Sequence, residues 1–230
     1  LPLEADAFAR LVADQVETRG GGMTFREGTI GGLSIAWCVC GVGRERAAWA
    51  TELLLDGHRP RRVISAGFAG GLDETIPRGS LVEPGAARRE SDPAPLPLAT
   101  AGRNPAQPRP LILTLDRIAR TPAEKAALAT ATGAALVDME TFAVAEVAAA
   151  AGIPCHGLRV VSDSATDELP ADLGRLVQPQ SPARRAGALL GMLGRRPQAV
   201  ADLWRLWERA VVDGRTLATG LARLIETIGP

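Results

Sequence analysis

The 230-residue chain carries no net charge, because 26 acidic side chains balance 26 basic ones. That removes the electrostatic basis for binding nucleic acid or an anionic surface. No run of about 18 apolar residues occurs, so no integral membrane helix is expected. No secretory leader is legible at the start. Cysteine is scarce and odd in number, with Cys38 and Cys40 in one apolar run and Cys155 in another. The three read as reduced core thiols of a cytoplasmic protein. A lone Cys-x-Cys and two scattered histidines lack metal-ligand spacing, so no metal site is expected. Lysine is nearly missing: Lys125 is the only one, all other basic side chains being arginine. With the alanine content, this reads as a coding bias and not as a function.

A chain of this length suffices for one α/β domain with a full core. Its organising stretch is 135–152. Ala135 to Val137 is a short apolar run fit for a buried strand, Asp138, Met139 and Glu140 form an elbow, and Thr141 to Ala151 is an alanine-rich helix that Gly152 stops. A strand turning straight into a helix places its junction at the carboxyl edge of a sheet, where open α/β sheets bind small ligands. Two carboxylates there lie near a helix N-terminus, which favours negative charge, and capping by Asp138 is an equally good account of them. The strand over 153–161 runs into Ser162-Asp163 and brings a third acid to a second strand end. Two parallel strands joined by a helix are expected to be neighbours, with Glu140 and Asp163 facing one pocket.

The remaining elements follow in order. Phe8, Leu11, Val12 and Val16 predict a helix over 4–17 that the glycines at 20–22 end. Strands are expected over 23–28 and 33–40, around a Gly31-Gly32 turn, the second apolar enough for burial on both faces. Gly41-Val42-Gly43 leads into a helix over 44–56, a cradle for an anion or ribose or simply a tight turn. A strand over 62–66 precedes a glycine loop over 67–71, where a ligand could approach the backbone. Further strands are read over 79–82 and 111–115, with a proline-rich surface loop over 91–110 between them. Thr121-Pro-Ala-Glu124 is a capping box that opens a helix to about Thr132. Beyond Pro170 helical stretches dominate. Val200, Leu203, Trp204, Trp207 and Val211 form an apolar stripe with arginines beside it. Such a helix packs on its own domain or on a second subunit, or touches a membrane surface.

The glycine turn at 41–43, Ser65-Ala-Gly-Phe-Ala-Gly-Gly-Leu72, Val137-Asp-Met-Glu140 and Arg159-Val-Val-Ser-Asp163 together resemble the purine and uridine nucleoside phosphorylase superfamily. Within it the chain is most similar to the nucleosidase branch, typified by methylthioadenosine/S-adenosylhomocysteine nucleosidase, over about residues 3–163. The arginine-rich C-terminus has a weaker likeness to hopanoid-biosynthesis members. The resemblance implies an α/β fold: one three-layer domain over 1–169 with a central mixed sheet flanked by helices, then a helical extension over 170–230. It implies cleavage of the N-glycosidic bond of a purine nucleoside or 5′-modified derivative, as a homodimer without a cofactor. The alternatives are phosphorolysis, with phosphate as co-substrate, and a non-catalytic nucleoside-binding role.

Roles carry over by position. Glu140 matches the acid on the ribose hydroxyls and Met139 the side chain beneath the sugar, with Asp138 and Gly43 beside them. Asp163 matches the general acid that protonates the base, Ser162 its neighbour, and Ala69 and Gly70 the backbone near the base. Glu4 matches the base that activates water. Such a general acid is expected to hold its proton through burial or a like-charged neighbour. Three departures stand out: Ser65 replaces the phosphate-binding arginine, which favours water although Arg44 or Arg46 could substitute; Ile118 and Phe68 reshape the base pocket; and the strand expected before Glu4 is missing, so the numbered chain reads as truncated.

Overall fold

The structure, a computed structural model, describes residues 2–92, 94–101, 109–170 and 198–229, with side chains described from Ala5 and, in the last helix, from Arg209. The expected helical region over 171–197 and residues 102–108 of the proline-rich segment lie outside the described residues.

The first helix, α1 (Pro2–Ala9), is shorter than its apolar spacing predicts. Phe8 and Val12 are buried as expected, but residues 13–20 leave the helix and form strand β1 (Ala13–Gly20). β1 pairs antiparallel with β2 (Met23–Ile30), in the register Glu17↔Arg26 and Gly20↔Met23. The glycines at 21 and 22 adopt φ of 57° and 75°, the geometry of a tight hairpin turn, so they reverse a strand where a helix stop was expected. Strand β3 (Leu33–Cys38) completes this three-stranded antiparallel sheet and is half-buried, not covered on both faces.

The main sheet has seven strands in the order β5-β10-β4-β9-β8-β6-β7. They are β4 (Val63–Gly71), β5 (Leu81–Val82), β6 (Ala86–Arg89), β7 (Leu96–Pro97), β8 (Leu111–Thr114), β9 (Leu136–Asp138) and β10 (Cys155–Asp163). The sheet is mixed, since β10 runs parallel to β4 but antiparallel to β5, and β4 meets β9 antiparallel. Two expectations change here. The glycines of 67–71 do not form a loop: β4 continues through them, paired with β10 from Val63↔Cys155 to Gly70↔Asp163. β4 therefore lies between β9 and β10, so these two are not neighbours. The proline-rich segment also holds β7, whose Pro97 is tolerated because the strand is at the sheet edge.

Helices cover both faces, and side-chain alternation along the buried strands decides which residue meets which layer. Val63, Ala69 and Val161 pack with Phe142, Val144 and Ala148 of α4 (Thr141–Ala150), behind which α2 (Arg44–His58) supplies Ala47. On the opposite face Leu158 and Val160 meet Leu217 and Leu224 of the long C-terminal helix α5 (Gln198–Ile228). Helix α3 (Pro122–Thr132) packs Leu128 against Leu113 and Val137. It starts at the expected box, with Thr121 Oγ1 accepting from the Glu124 amide at 3.2 Å. α5 also packs Ala218 and Ile225 against Phe8 and Ile30, tying the small sheet and α1 to the main one.

His156, on β10, is 3% exposed and neither ring nitrogen finds a hydrogen-bond partner among the described residues. Burial, helped by the nearby Arg62 charge, holds its imidazole below the usual 6.5. The folded protein thus resists a proton that the unfolded chain accepts, so His156 costs nothing above the unfolded value and destabilises as pH falls below it. His156→Leu is expected to flatten the decline in Tm between pH 7.5 and 5.5, where each kcal/mol is about 2–4 °C for a chain of this size. Thermal melts across that range check it, and parallel Tm curves for the two proteins would refute it.

Candidate active site

One buried cation joins β4, the carboxyl end of β9 and β10. Arg159, on β10, is 2% exposed. Its Nε and Nη2 donate to Asp138 Oδ2 at 3.1 and 2.9 Å, Nη1 donates to the Ser65 carbonyl at 2.7 Å, and Nη2 reaches Ser65 Oγ at 2.7 Å. Asp138 also accepts from Thr114 Oγ1 at 2.7 Å, from the Thr141 amide at 2.9 Å and from the Thr141 hydroxyl. Its two oxygens are thus taken by protein donors. Asp138, expected among the substrate-binding residues, lines the cavity and also fixes the β9–α4 elbow. Ser65, where an arginine would clamp phosphate, accepts Arg159 and offers no free positive charge.

Two residues past Asp138, Glu140 turns toward the cavity, and the Gly43 amide donates to its Oε1 at 2.7 Å. Gly43 has φ of 105°, so the glycine there lets an amide that opens α2 aim at a carboxylate 97 residues away. Met139 lines the same wall.

Asp163 ends β10 and is 8% exposed. Ser162 Oγ donates to its Oδ1 at 2.7 Å, and Lys125 Nζ donates to its Oδ2 at 2.6 Å. A Cβ at Gly70 would lie 3.1 Å from Oδ2 and 3.1 Å from Val137 Cγ1, so a larger residue there would press on the Asp163 carboxylate. Of the two conditions expected for Asp163, burial or a like-charged neighbour, the structure shows burial; the group beside it is a cation, because α3 packs across the turn that follows β10.

A single cavity of about 1150 Å³ joins these parts. Glu140 and Asp163 face this one pocket, and Asp138, Met139, Ser162, Phe68, Ala69, Gly70 and Ile118 line it with them. Glu4 lies on α1 beside Ala5, which lines the cavity, but its own side chain is outside the described ones. The stripe through Trp204 and Trp207 is helical, with those side chains likewise outside the described ones. Away from the carboxylates the lining turns apolar, through Phe8, Ile35, Trp37, Leu217, Leu221 and Ile225. At its rim Arg78 donates to the Ser162 carbonyl at 2.8 Å and to Asp213 of α5 at 2.6 Å. Of the two arginines that could take over phosphate, Arg44 pairs with Asp116 at 3.4 Å and Arg46 donates to the Cys40 carbonyl at 2.9 Å. The cysteines are free thiols, and burial pushes Cys38 and Cys155 up to about 12, so neither is a nucleophile at neutral pH. Among the described residues no group of three or more His, Cys, Asp or Glu could hold a metal ion, and no helix is long and apolar enough to cross a membrane.

Lys125 and the Arg78–Asp213 pair had no place in the sequence reading. Lys125 had one signal, its uniqueness among 26 basic residues.

Comparison with known proteins gives a consistent picture. The family model of the phosphorylase superfamily matches residues 1–112 and 98–183. A 5′-methylthioadenosine/S-adenosylhomocysteine nucleosidase of Actinobacillus succinogenes is 34% identical over 79 residues, 34% of each chain. Its counterpart from Haemophilus influenzae is 37% identical over 79 residues. The match thus spans about a third of the length of these curated relatives. Among solved structures, the nucleosidase of S. pneumoniae superposes with a TM-score of 0.74 at 17% identity, covering 100% of this chain and 96% of that one. Futalosine hydrolase of Helicobacter pylori superposes with a TM-score of 0.70 at 16% identity, over 98% and 94% of the two chains. At these identities the superpositions show a shared fold.

Removing Arg159 leaves Asp138 a buried carboxylate without its counter-charge, held only by the neutral donors of Thr114 and Thr141. Arg159→Met is expected to destabilise by about 3–5 kcal/mol, and the Arg159→Met/Asp138→Asn double variant to recover part of that loss. Urea unfolding of wild type, Arg159→Met, Asp138→Asn and the double variant measures it, and strictly additive losses would contradict it.

Proposed function

The chain belongs to the phosphorylase superfamily, and from that premise we propose that it is an N-glycosyl hydrolase. It separates the base from the sugar of a purine nucleoside or 5′-substituted adenosine derivative, with water as nucleophile and no cofactor. The observation that carries this reading is the convergence of Asp163 and Glu140 on one cavity from two strand ends. Breaking an N-glycosidic bond builds positive charge on the sugar and negative charge on the base. Asp163, supported by Ser162, delivers a proton to the base, which lies against Phe68, Ala69, Gly70 and Ile118. Glu140 holds the ribose hydroxyls above Met139, and Glu4 deprotonates the attacking water.

Base and ribose account for the polar end of the cavity. Small-molecule sites run to about 300–1,000 Å³, and the 1150 Å³ here leaves the apolar end for a third part of the substrate. This favours a substituted 5′ carbon over a plain hydroxyl. The engagement of Ser65 by Arg159 favours water over phosphate, since a buried phosphate dianion without a paired cation is costly.

A two-fold homodimer in the cytoplasm belongs to the same reading. Trp49 is 47% exposed and Val212 59% exposed, apolar surface that a partner would cover. Light scattering at micromolar concentration is expected to give twice the mass of one chain, and a monomer would count against this.

Asp163→Asn and Glu4→Gln are each expected to cut turnover by about 10²–10⁴ with folding intact. Phosphate is expected to leave the rate of base release unchanged. Near wild-type activity in a well-folded Asn variant would remove Asp163 from its role. A phosphate-dependent rate yielding sugar 1-phosphate would replace hydrolysis with phosphorolysis.

A further inference from the structure

The only lysine of the chain is wholly buried, with no exposed surface at all. A buried ammonium needs every proton matched to an acceptor. Lys125 Nζ has three partners: Asp163 Oδ2 at 2.6 Å, the Ser164 carbonyl at 2.7 Å and the Asp167 carbonyl at 3.0 Å. The turn that supplies both carbonyls is closed by Asp167, whose carboxylate accepts the Ser164 amide at 2.8 Å. Helix α3 therefore has a charged side chain plugged into the end of β10, directly behind the candidate general acid. Three acceptors thus hold the Lys125 ammonium in one position.

Both oxygens of Asp163 then act as acceptors, one from Lys125 and the other from Ser162. This is the hydrogen-bond pattern of a carboxylate, not of a carboxylic acid. The Ser162 hydroxyl has a single proton but two acceptors in reach, Asp163 Oδ1 at 2.7 Å and the Ala69 carbonyl at 3.2 Å. It can donate to Oδ1 while that oxygen is anionic, and turn to Ala69 when Oδ1 carries a proton.

Resting on the nucleosidase reading above, we infer that Lys125 sets the charge of the site: its buried ammonium keeps Asp163 anionic at rest, and the proton delivered to the departing base is taken from solvent as the base part of the substrate enters. The steps balance. One proton moves from water to Asp163 Oδ1, and Ser162 swings its own proton to Ala69. As the N-glycosidic bond breaks, its electron pair goes to the base and the Oδ1 proton moves to a ring nitrogen. The carboxylate is restored 2.6 Å from the ammonium, where its charge is most stabilised. Lys125 thus acts through Asp163 as a positioning residue. Its ammonium, 2.6 Å from Oδ2, stabilises the negative charge that returns to Asp163 as the proton leaves in the transition state.

The other charged groups facing Asp163 do not substitute for it. Arg78 binds the Ser162 carbonyl and Asp213, Arg159 is committed to Asp138, Asp167 is bound to its own turn, and Glu140 stands on the β9 side of the cavity.

Two experiments test this. Adenine binding to the wild-type protein at pH 8, measured calorimetrically in buffers of different ionisation enthalpy, is expected to take up about one proton per site. Binding without uptake would overturn the inference, and this arm needs no variant to fold. In the second, pH–rate profiles of base release are recorded for wild type, Lys125→Gln and Lys125→Arg. Gln keeps a donor but loses the charge, so the alkaline limb is expected to move to higher pH. Its low-pH plateau is expected to fall about tenfold or more. Arg is expected to return the limb toward its wild-type position. Superimposable profiles for wild type and Gln would remove Lys125 from this role while leaving the nucleosidase reading intact. If wild type neither binds adenine nor frees base from any nucleoside, the functional reading fails and the inference with it.

Discussion

The ion pair between Arg159 and Asp138 is what the site end of the fold depends on. It joins three strands and a helix at one point. Arg159 comes from β10, its acceptors Ser65 and Asp138 from β4 and β9, and Thr141 opens α4. A buried pair of this kind contributes little net stability compared with an apolar pair of the same volume. What it does supply is geometry. Each donor and acceptor has a fixed direction, so the three strands cannot slide relative to one another without leaving a buried charge unmatched. Glu140 and Asp163 follow directly on two of the pinned strands, and their separation is inherited from this floor.

Above the floor the charges alternate in depth. Arg159 sits beneath Asp138, Lys125 lies behind Asp163, and Arg78 joins Asp213 to the Ser162 carbonyl at the rim. The two carboxylates assigned to the chemistry are thus held in place by protein donors: Glu140 by the Gly43 amide, Asp163 by Lys125 and Ser162. Side chains held this way lose little freedom when a ligand arrives, which is the condition for acid–base groups to work at a fixed distance from the reacting atoms. The apolar remainder of the cavity, between α1, β3 and α5, needs no such support.

Much of this was legible in the sequence, and the misses share a cause. Asp138-Met-Glu140 and Ser162-Asp163 could be placed at strand ends because each follows a short apolar run and, in the first case, precedes an alanine-rich helix. That β4 lies between β9 and β10 could not be read, because strand order depends on long-range pairing. The glycines of 67–71 read as a loop by local preference. In the sheet they serve close approach, Gly70 to Asp163 and Val137, and the ladder with β10 overrides turn propensity. The hairpin at 21–22 was mistaken for a helix stop because glycine ends helices and turns strands alike, and only the partner strand distinguishes the two. Lys125 was hidden differently. On an alanine-rich helix a lysine normally faces water, and its burial is created by the turn at 164–167, remote in sequence.

The central claim is that the cavity formed by Asp163 and Glu140 cleaves an N-glycosidic bond with water. The most direct measurement incubates the protein with adenosine, inosine and a series of 5′-alkylthioadenosines, with and without phosphate, and resolves base and sugar products by chromatography. The account predicts free base and unphosphorylated sugar in both buffers, fastest with the larger apolar 5′ substituents. Intact nucleosides throughout, from a protein shown to be folded, would contradict it.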